Sequence, residues 1–147
     1  MKLTLALGLA SVASCGNRHT DPVEGTWVTS LQTRDCALQY TFRNGAVEQD
    51  RRCTLPDGQL AVEVTAGTYV VSGKTLVLTS TRSSCPDDLS QEVTYSFSRQ
   101  GTSLTRISSE GSLVLQNSPA PESHGAAAVG CFDEDFKFVA APIVALH

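Results

Sequence analysis

The chain has 147 residues and a formal net charge of −4, with 15 acidic side chains against 11 basic ones. That length suffices for one domain with a real core, and the acidic balance excludes a nucleic-acid-binding class. Beyond Arg18, the arginines Arg34, Arg43, Arg51, Arg52, Arg82, Arg99 and Arg106 are scattered rather than gathered into a stripe, the pattern of a solvated surface.

The first element in chain order is a leader. Lys2 precedes an uninterrupted small or apolar run over residues 3–13, far short of the roughly twenty residues that a bilayer span needs. Ala10-Ser11-Val12 makes a poor site for ordinary secretory cleavage. Val12-Ala13-Ser14-Cys15, by contrast, resembles the bacterial lipobox, an aliphatic residue and two small ones before a cysteine. The resemblance implies diacylglycerol attached through a thioether to Cys15, removal of residues 1–14, and acylation of the new amino terminus by a fatty acid such as palmitate. The 147 residues less the 14 of the leader leave a mature chain of 133. Gly16 stands where an aspartate would retain an enteric lipoprotein at the inner membrane, which favours the outer membrane. Residues 15–24 then form a lipidated tether, and the ten steps from Cys15 to Gly25 reach at most ~35 Å.

From Gly25 the chain repeats a strand-and-turn rhythm, with no helical spacing of apolar residues. Residues 25–33 form a first strand containing Trp27. Cys36 to Arg43 alternates, with Cys36, Leu38, Tyr40 and Phe42 on one face. Asn44-Gly45 then makes a type I′ turn, since both residues tolerate positive φ. In that register Arg43 opposes Ala46, Phe42 opposes Val47, and Cys36 meets Cys53 at a non-hydrogen-bonded position, a geometry suited to a cross-strand disulfide. The long strand 60–72 is interrupted by Gly67, where a bulge is expected to switch the inward set from Leu60, Val62 and Val64 to Tyr69 and Val71. Gly73-Lys74 turns into 75–81, with Val71 opposite Leu76 and Tyr69 opposite Leu78. A polar excursion over 82–91 precedes a strand containing Val93, Tyr95 and Phe97, and a final hairpin turns at Ser109-Glu110-Gly111. The fold class is all-β: about eight strands joined between neighbours predict a small antiparallel up-and-down barrel, with a two-sheet sandwich as the alternative.

Beyond Cys15 four cysteines remain, an even number in a chain that has left the cytoplasm, and two disulfides are expected. The hairpin register assigns Cys36 to Cys53, which leaves Cys85 with Cys131. Spacings of 16, 31 and 45 intervening residues contain no close chelating pair, which weighs against zinc. Residues 118–130, rich in Pro, Ala, Ser and Gly, read as a mobile connector. Phe136 and Phe138 then alternate in a last strand, and the apolar tail 139–146 either pads the barrel or offers an interaction peptide to another envelope protein.

Gly25-Thr26-Trp27 resembles the Gly-x-Trp signature of lipocalins. Residues 67–79, from Gly67-Thr68-Tyr69 to Val77-Leu78-Thr79, are similar to a hairpin of bacterial lipocalin-like lipoproteins. The resemblance implies a lipocalin-like barrel closed at one end by Trp27, with an internal ligand. It also implies an arginine packed over the tryptophan, to which no residue of this sequence is assigned. Trp27, Tyr40, Tyr69 and Arg51 are the candidate ligand residues. Against this, small eight-stranded barrels commonly fill themselves with side chains, and an inward arginine often reaches water at a barrel mouth.

No constellation for catalysis stands out. His19, His124 and His147 fall in the tether, the connector and the terminus; there is no Gly-x-Ser-x-Gly elbow; and Asp133-Glu134-Asp135 lacks the alternation of a calcium loop. The expectation is a non-enzymatic protein without metal or cofactor. It is held to the membrane by lipid on Cys15 and acts as a binding module for a small apolar ligand, as a subunit of a larger envelope complex, or as a lysozyme-type hydrolase inhibitor.

Overall fold

The computed structural model describes residues 21–31, 35–119 and 126–146. Cys15, the expected lipidation site, lies outside the described residues, as does most of the expected tether.

Local pattern dictates the first hairpins. β1 (Gly25–Leu31) pairs with β2 (Cys36–Arg43), which turns at Asn44 and Gly45, with φ of +51° and +81°, into β3 (Ala46–Thr54). The register is the expected one, Phe42 opposite Val47 and Cys36 opposite Cys53. β4 (Leu60–Ser72) and β5 (Thr75–Ser83) form the long hairpin, with Val71 opposite Leu76 and Tyr69 opposite Leu78. β6 (Glu92–Gln100), β7 (Ser103–Ser108) and β8 (Gly111–Ser118) continue the meander, and a short turn of 3-10 helix, Pro86–Asp88, sits between β5 and β6. β8 then returns to β1, with Thr26 opposite Ser118 and Val28 opposite Gln116. Eight antiparallel strands therefore close into a barrel rather than dividing into two sheets. Inside it Trp27, Leu38, Tyr40, Phe42, Tyr69 and Phe97 belong to one buried apolar cluster. Full burial of side chains of this size is worth about 1.5–3 kcal/mol each.

The irregularity at Gly67 is real, but the extra residue lies in the partner strand. Ala66 opposes Arg82 while Gly67 opposes Ser80, so Thr81 of β5 is the unpaired one. β4 keeps an unbroken register with β3, which places Glu63, Thr65 and Gly67 on the face of Arg51, Gln49 and Val47. The expected switch of the inward set does not occur. Val62, Val64 and Ala66 point outward and are nevertheless buried, on the stretch of β4 whose edge is shared between the end of β5 and β9. Apolar residues on both faces of one strand cannot announce which face is the core.

Three short strands extend the sheet at its edges. β9 (Ala128–Phe132) runs parallel to β4, with Ala61 opposite Ala128 and Val62 opposite Val129; β10 (Phe138–Ala140) pairs back onto β9; and β11 (Val144–Ala145) pairs with Ser83 and Arg82 of β5. The connector read over 118–130 is thus shorter at both ends, since Ser118 completes β8 and Ala128 opens β9. Phe136 is not in the last strand but in the turn that precedes it.

Ser83 and Ser84, read as the start of a polar excursion, are fully buried. Ser84 Oγ donates to the Gly130 carbonyl at 2.6 Å and accepts the Val64 N–H at 2.9 Å; Ser83 Oγ accepts the Cys85 N–H at 2.9 Å. These bonds satisfy backbone groups that burial would otherwise leave unpaired. Both expected disulfides are present, Cys36 with Cys53 at a Cα separation of 4.0 Å and Cys85 with Cys131 at 5.1 Å.

Two outcomes follow for stability. A Cβ at Gly67 would stand 1.8 Å from the Thr79 carbonyl oxygen, and because the obstacle is backbone, Gly67→Ala is expected to cost at least ~3 kcal/mol in chemical unfolding. Replacing Cys85 and Cys131 by alanine should remove up to ~4 kcal/mol, against ~3 for the Cys36–Cys53 pair, because its closed loop is longer. Equal losses for the two pairs would contradict the loop-closure account.

Candidate functional site

The barrel has two unlike ends. At the end where β1 begins, Trp27 is wholly buried, and its Nε1 donates to the Val23 carbonyl at 2.8 Å. The Arg99 guanidinium lies 5.1 Å from the indole centroid and donates through Nη1 to the Pro22 carbonyl at 3.0 Å. The Tyr69 hydroxyl donates to the Asp21 carboxylate, whose other oxygen accepts the Val23 N–H at 3.0 Å. Burial, reinforced by the bond to Asp21, pushes the Tyr69 phenol above its ordinary range. Residues 21–24, assigned by the sequence to the tether, are therefore a plug packed onto the barrel, and Val23 is fully buried. Arg99, on β6, supplies the arginine over the tryptophan that the sequence left unassigned. Phe42 meets Tyr69 edge to face at 5.0 Å, which completes a dry, closed floor.

Above the floor the interior becomes polar. Arg106 Nη1 donates to the Tyr40 hydroxyl at 2.5 Å, and its guanidinium lies 4.5 Å from the Tyr95 ring centroid. Among the described residues no carboxylate pairs with Arg106, and its buried Nε has no hydrogen-bond partner. Burial raises the Tyr40 phenol to about 12, with the Arg106 charge working in the opposite direction. A cavity of about 50 Å³ is lined by Tyr40, Gln49, Thr65, Leu78 and Tyr95 among others. It has room for a few waters and none for a lipid tail. Arg51 does face inward, as expected, but its guanidinium is 3.8 Å from the Glu63 carboxylate. Glu63 escaped the sequence reading because its strand face was assigned the wrong way round.

The opposite end is the mouth. Cys36, Cys53, Leu55, Pro56, Phe132 and Phe136 line a cavity of about 500 Å³, within the range of small-molecule sites. Phe132 and Phe136 stack at 4.7 Å between ring centroids. The Glu63 carboxylate accepts the Phe132 N–H at 2.9 Å, and the Cys85–Cys131 bond ties the same segment to the end of β5. Glu63 lies within 4.8 Å of both of these sulfurs, which are bonded to each other rather than free as thiolates. Phe136 has φ of +61°. A bulky side chain rarely adopts that conformation, which costs about 1–3 kcal/mol. The turn demands it, because the Phe136 N–H bonds the Asp133 carbonyl at 2.9 Å and the Asp133 N–H bonds the Lys137 carbonyl at 2.9 Å.

The four candidate ligand residues thus share no cavity. Trp27 and Tyr69 are spent on the floor, Tyr40 is engaged by Arg106, and Arg51 by Glu63. Phe132 and Phe136 were missed as site residues. The signal available for them was two aromatics flanking an acidic turn one residue after a disulfide cysteine.

No family model matches the chain, and no curated protein matches it. Among solved structures it is similar to a lipocalin-like protein from Bacteroides uniformis ATCC 8492, at 13% identity and a TM-score of 0.43, covering 66% of this chain and 99% of that one. It is also similar to an uncharacterized protein from Bacteroides eggerthii DSM 20697, at 12% identity and a TM-score of 0.44, covering 67% and 100% respectively.

Tyr40 generates a pH dependence. Its folded-state value, about 12, lies above the ordinary 10.0, so its contribution is intact below pH ~10 and is lost as pH rises through ~12. Alkaline unfolding in that window should coincide with the appearance of tyrosinate absorbance. Ionisation of all three tyrosines near pH 10 with the fold intact would contradict the burial described.

Proposed function

We propose that the chain is an outer-membrane lipoprotein, anchored by diacylglycerol on Cys15, and that it acts as a non-catalytic binding module for a small apolar or amphipathic ligand held at the barrel mouth. The observation that carries this reading is the strained Phe136, stacked on Phe132 at the rim of a cavity of about 500 Å³. Strain of that kind persists where surrounding structure imposes it, and it clusters at ligand sites. The packed floor supports the mouth over the barrel interior as the place of binding, since a space of about 50 Å³ cannot take a ligand of that class. The anchor rests on Val12-Ala13-Ser14-Cys15, and the outer-membrane assignment on Gly16.

Binding is read by native mass spectrometry of protein purified from membranes in mild detergent, which should retain a bound small molecule. Phe136→Gly relieves the backbone strain, so it should keep the thermal midpoint or raise stability by up to ~1 kcal/mol while losing the ligand. Retention of the same ligand by Phe136→Gly and by Phe132→Ala would remove the mouth from consideration.

A further inference from the structure

We infer that the plugged end of the barrel is a docking face for an anionic phospholipid surface, and that the mouth consequently points away from the bilayer. In this up-and-down barrel the turns after β2, β4 and β6 all lie at the end where β1 begins. Each of them presents a cation: Arg43 beside Asn44-Gly45, Lys74 in the turn Gly73-Lys74, and Arg99 just before Gly101. All three side chains are exposed. Among the described residues the acids at this end are Glu24, which is exposed, Glu48, half-buried on β3 beside Arg43, and Asp21, whose carboxylate is occupied by Tyr69 and the Val23 N–H.

The opposite end has the opposite sign. Asp57 lies in the turn after β3, Asp87 and Asp88 in the connection after β5, Glu110 in the turn after β7, and Asp133-Glu134-Asp135 in the turn between β9 and β10. The desolvated Asp88 carboxyl, raised by burial and lowered by the charge of Arg51, belongs to this same rim. The charges are therefore polarised along the barrel axis although they look scattered along the chain.

The length and exit point of the remaining chain select the occupant of the basic face. This step rests on the lipoprotein reading. From Cys15 to Asp21 there are six residue steps, which reach at most ~20 Å, and Asp21 is fixed at the basic end. A lipid on Cys15 keeps the basic end within ~20 Å of the headgroups, at most two to three Debye lengths at physiological salt, ~8 Å each, so Arg43, Lys74 and Arg99 can come up against them. Tipping the barrel over would press the acidic rim against a surface of the same sign. Each cation near an anionic leaflet favours the docked orientation about fivefold, equivalent to ~1 kcal/mol. In the docked orientation the mouth exchanges its ligand with the aqueous space and not with the acyl chains.

Hydrogen exchange of the lipidated protein on vesicles tests this, comparing mixed phosphatidylglycerol and phosphatidylcholine with phosphatidylcholine alone. Amides in the three turns at the basic end should be protected on the mixed vesicles only, and the acidic turns on neither. Arg43→Glu with Lys74→Glu should lower that protection by at least roughly thirtyfold, as should ~1 M salt. Because neither side chain makes a hydrogen bond or ion pair among the described residues, the variant's thermal midpoint should be unchanged, and the paired glutamine substitutions should give a smaller loss of the same sign. Protection that is equal on neutral vesicles, located at the acidic end, or indifferent to the substitutions overturns the docking face. Intact mass of the same preparation separates the two readings. Cys15 without lipid overturns the anchor, and the exchange comparison with vesicles added to that protein still decides the face.

Discussion

The barrel depends on how Trp27 is held. β8 closes onto β1 through only three residue pairs, and Trp27 is the middle one, opposite Asn117. So short a seam supplies few hydrogen bonds of its own. Its stability comes from the indole, whose N–H is satisfied by Val23 and whose face is covered by Arg99. The same contacts fold residues 21–24 back across the barrel end. Closure of the sheet, the dry floor and the exit point of the preceding chain are thus three consequences of one buried side chain and the groups that pair with it.

No comparable plug comes from the strands at the other end. β1 and β8 pair no further than Val28 and Gln116, so the wall parts towards the mouth, and covalent bonds replace packing there. Cys36–Cys53 joins β2 to β3 beside the opening, and Cys85–Cys131 draws the C-terminal segment across it. The buried serines complete the attachment: Ser84 pairs backbone groups of β4 and β9, and Ser83 accepts the N–H of the disulfide residue Cys85. A disulfide constrains the unfolded chain more than it packs the folded one, so it can stabilise a rim without filling it.

Period-two alternation and turn chemistry carried the hairpins, their registers and the Cys36–Cys53 pairing, because each of these is set by residues adjacent in sequence or by a two-residue turn, and Cys85–Cys131 followed by elimination. What the sequence did not disclose depends on segments far apart in the chain. Val62 and Val64 read as inward because they are apolar and nothing local says that the outer face is buried here too; that reading put Glu63 on the wrong side and concealed its ion pair with Arg51. Asp21 to Glu24 looked like spacer, being short and polar around one valine, until Trp27 and Tyr69 supplied partners from the barrel. Phe136 looked like strand because its left-handed backbone is imposed by its own hydrogen bond to Asp133 and by the one from Asp133 to Lys137, against the preference of its own side chain.

Arg106 explains why the barrel interior has no room for a guest. A leucine at that position would have joined Leu104 and Leu115 and carried the apolar column up to the mouth, and replacing a buried charge with a hydrophobe commonly stabilises a core. Arginine divides the interior instead. Its charge is spread over the faces of Tyr95 and Tyr40 and one phenolic oxygen, which gives a polar layer above a dry floor with too little space for a guest. The aromatic surface beside the larger cavity at the mouth lies outside the eight strands, in Phe132 and Phe136. The division also separates two demands that usually compete. Trp27 and Tyr69 hold the barrel shut from one end, so a strained turn at the other end can be carried without loosening the closure on which the fold depends.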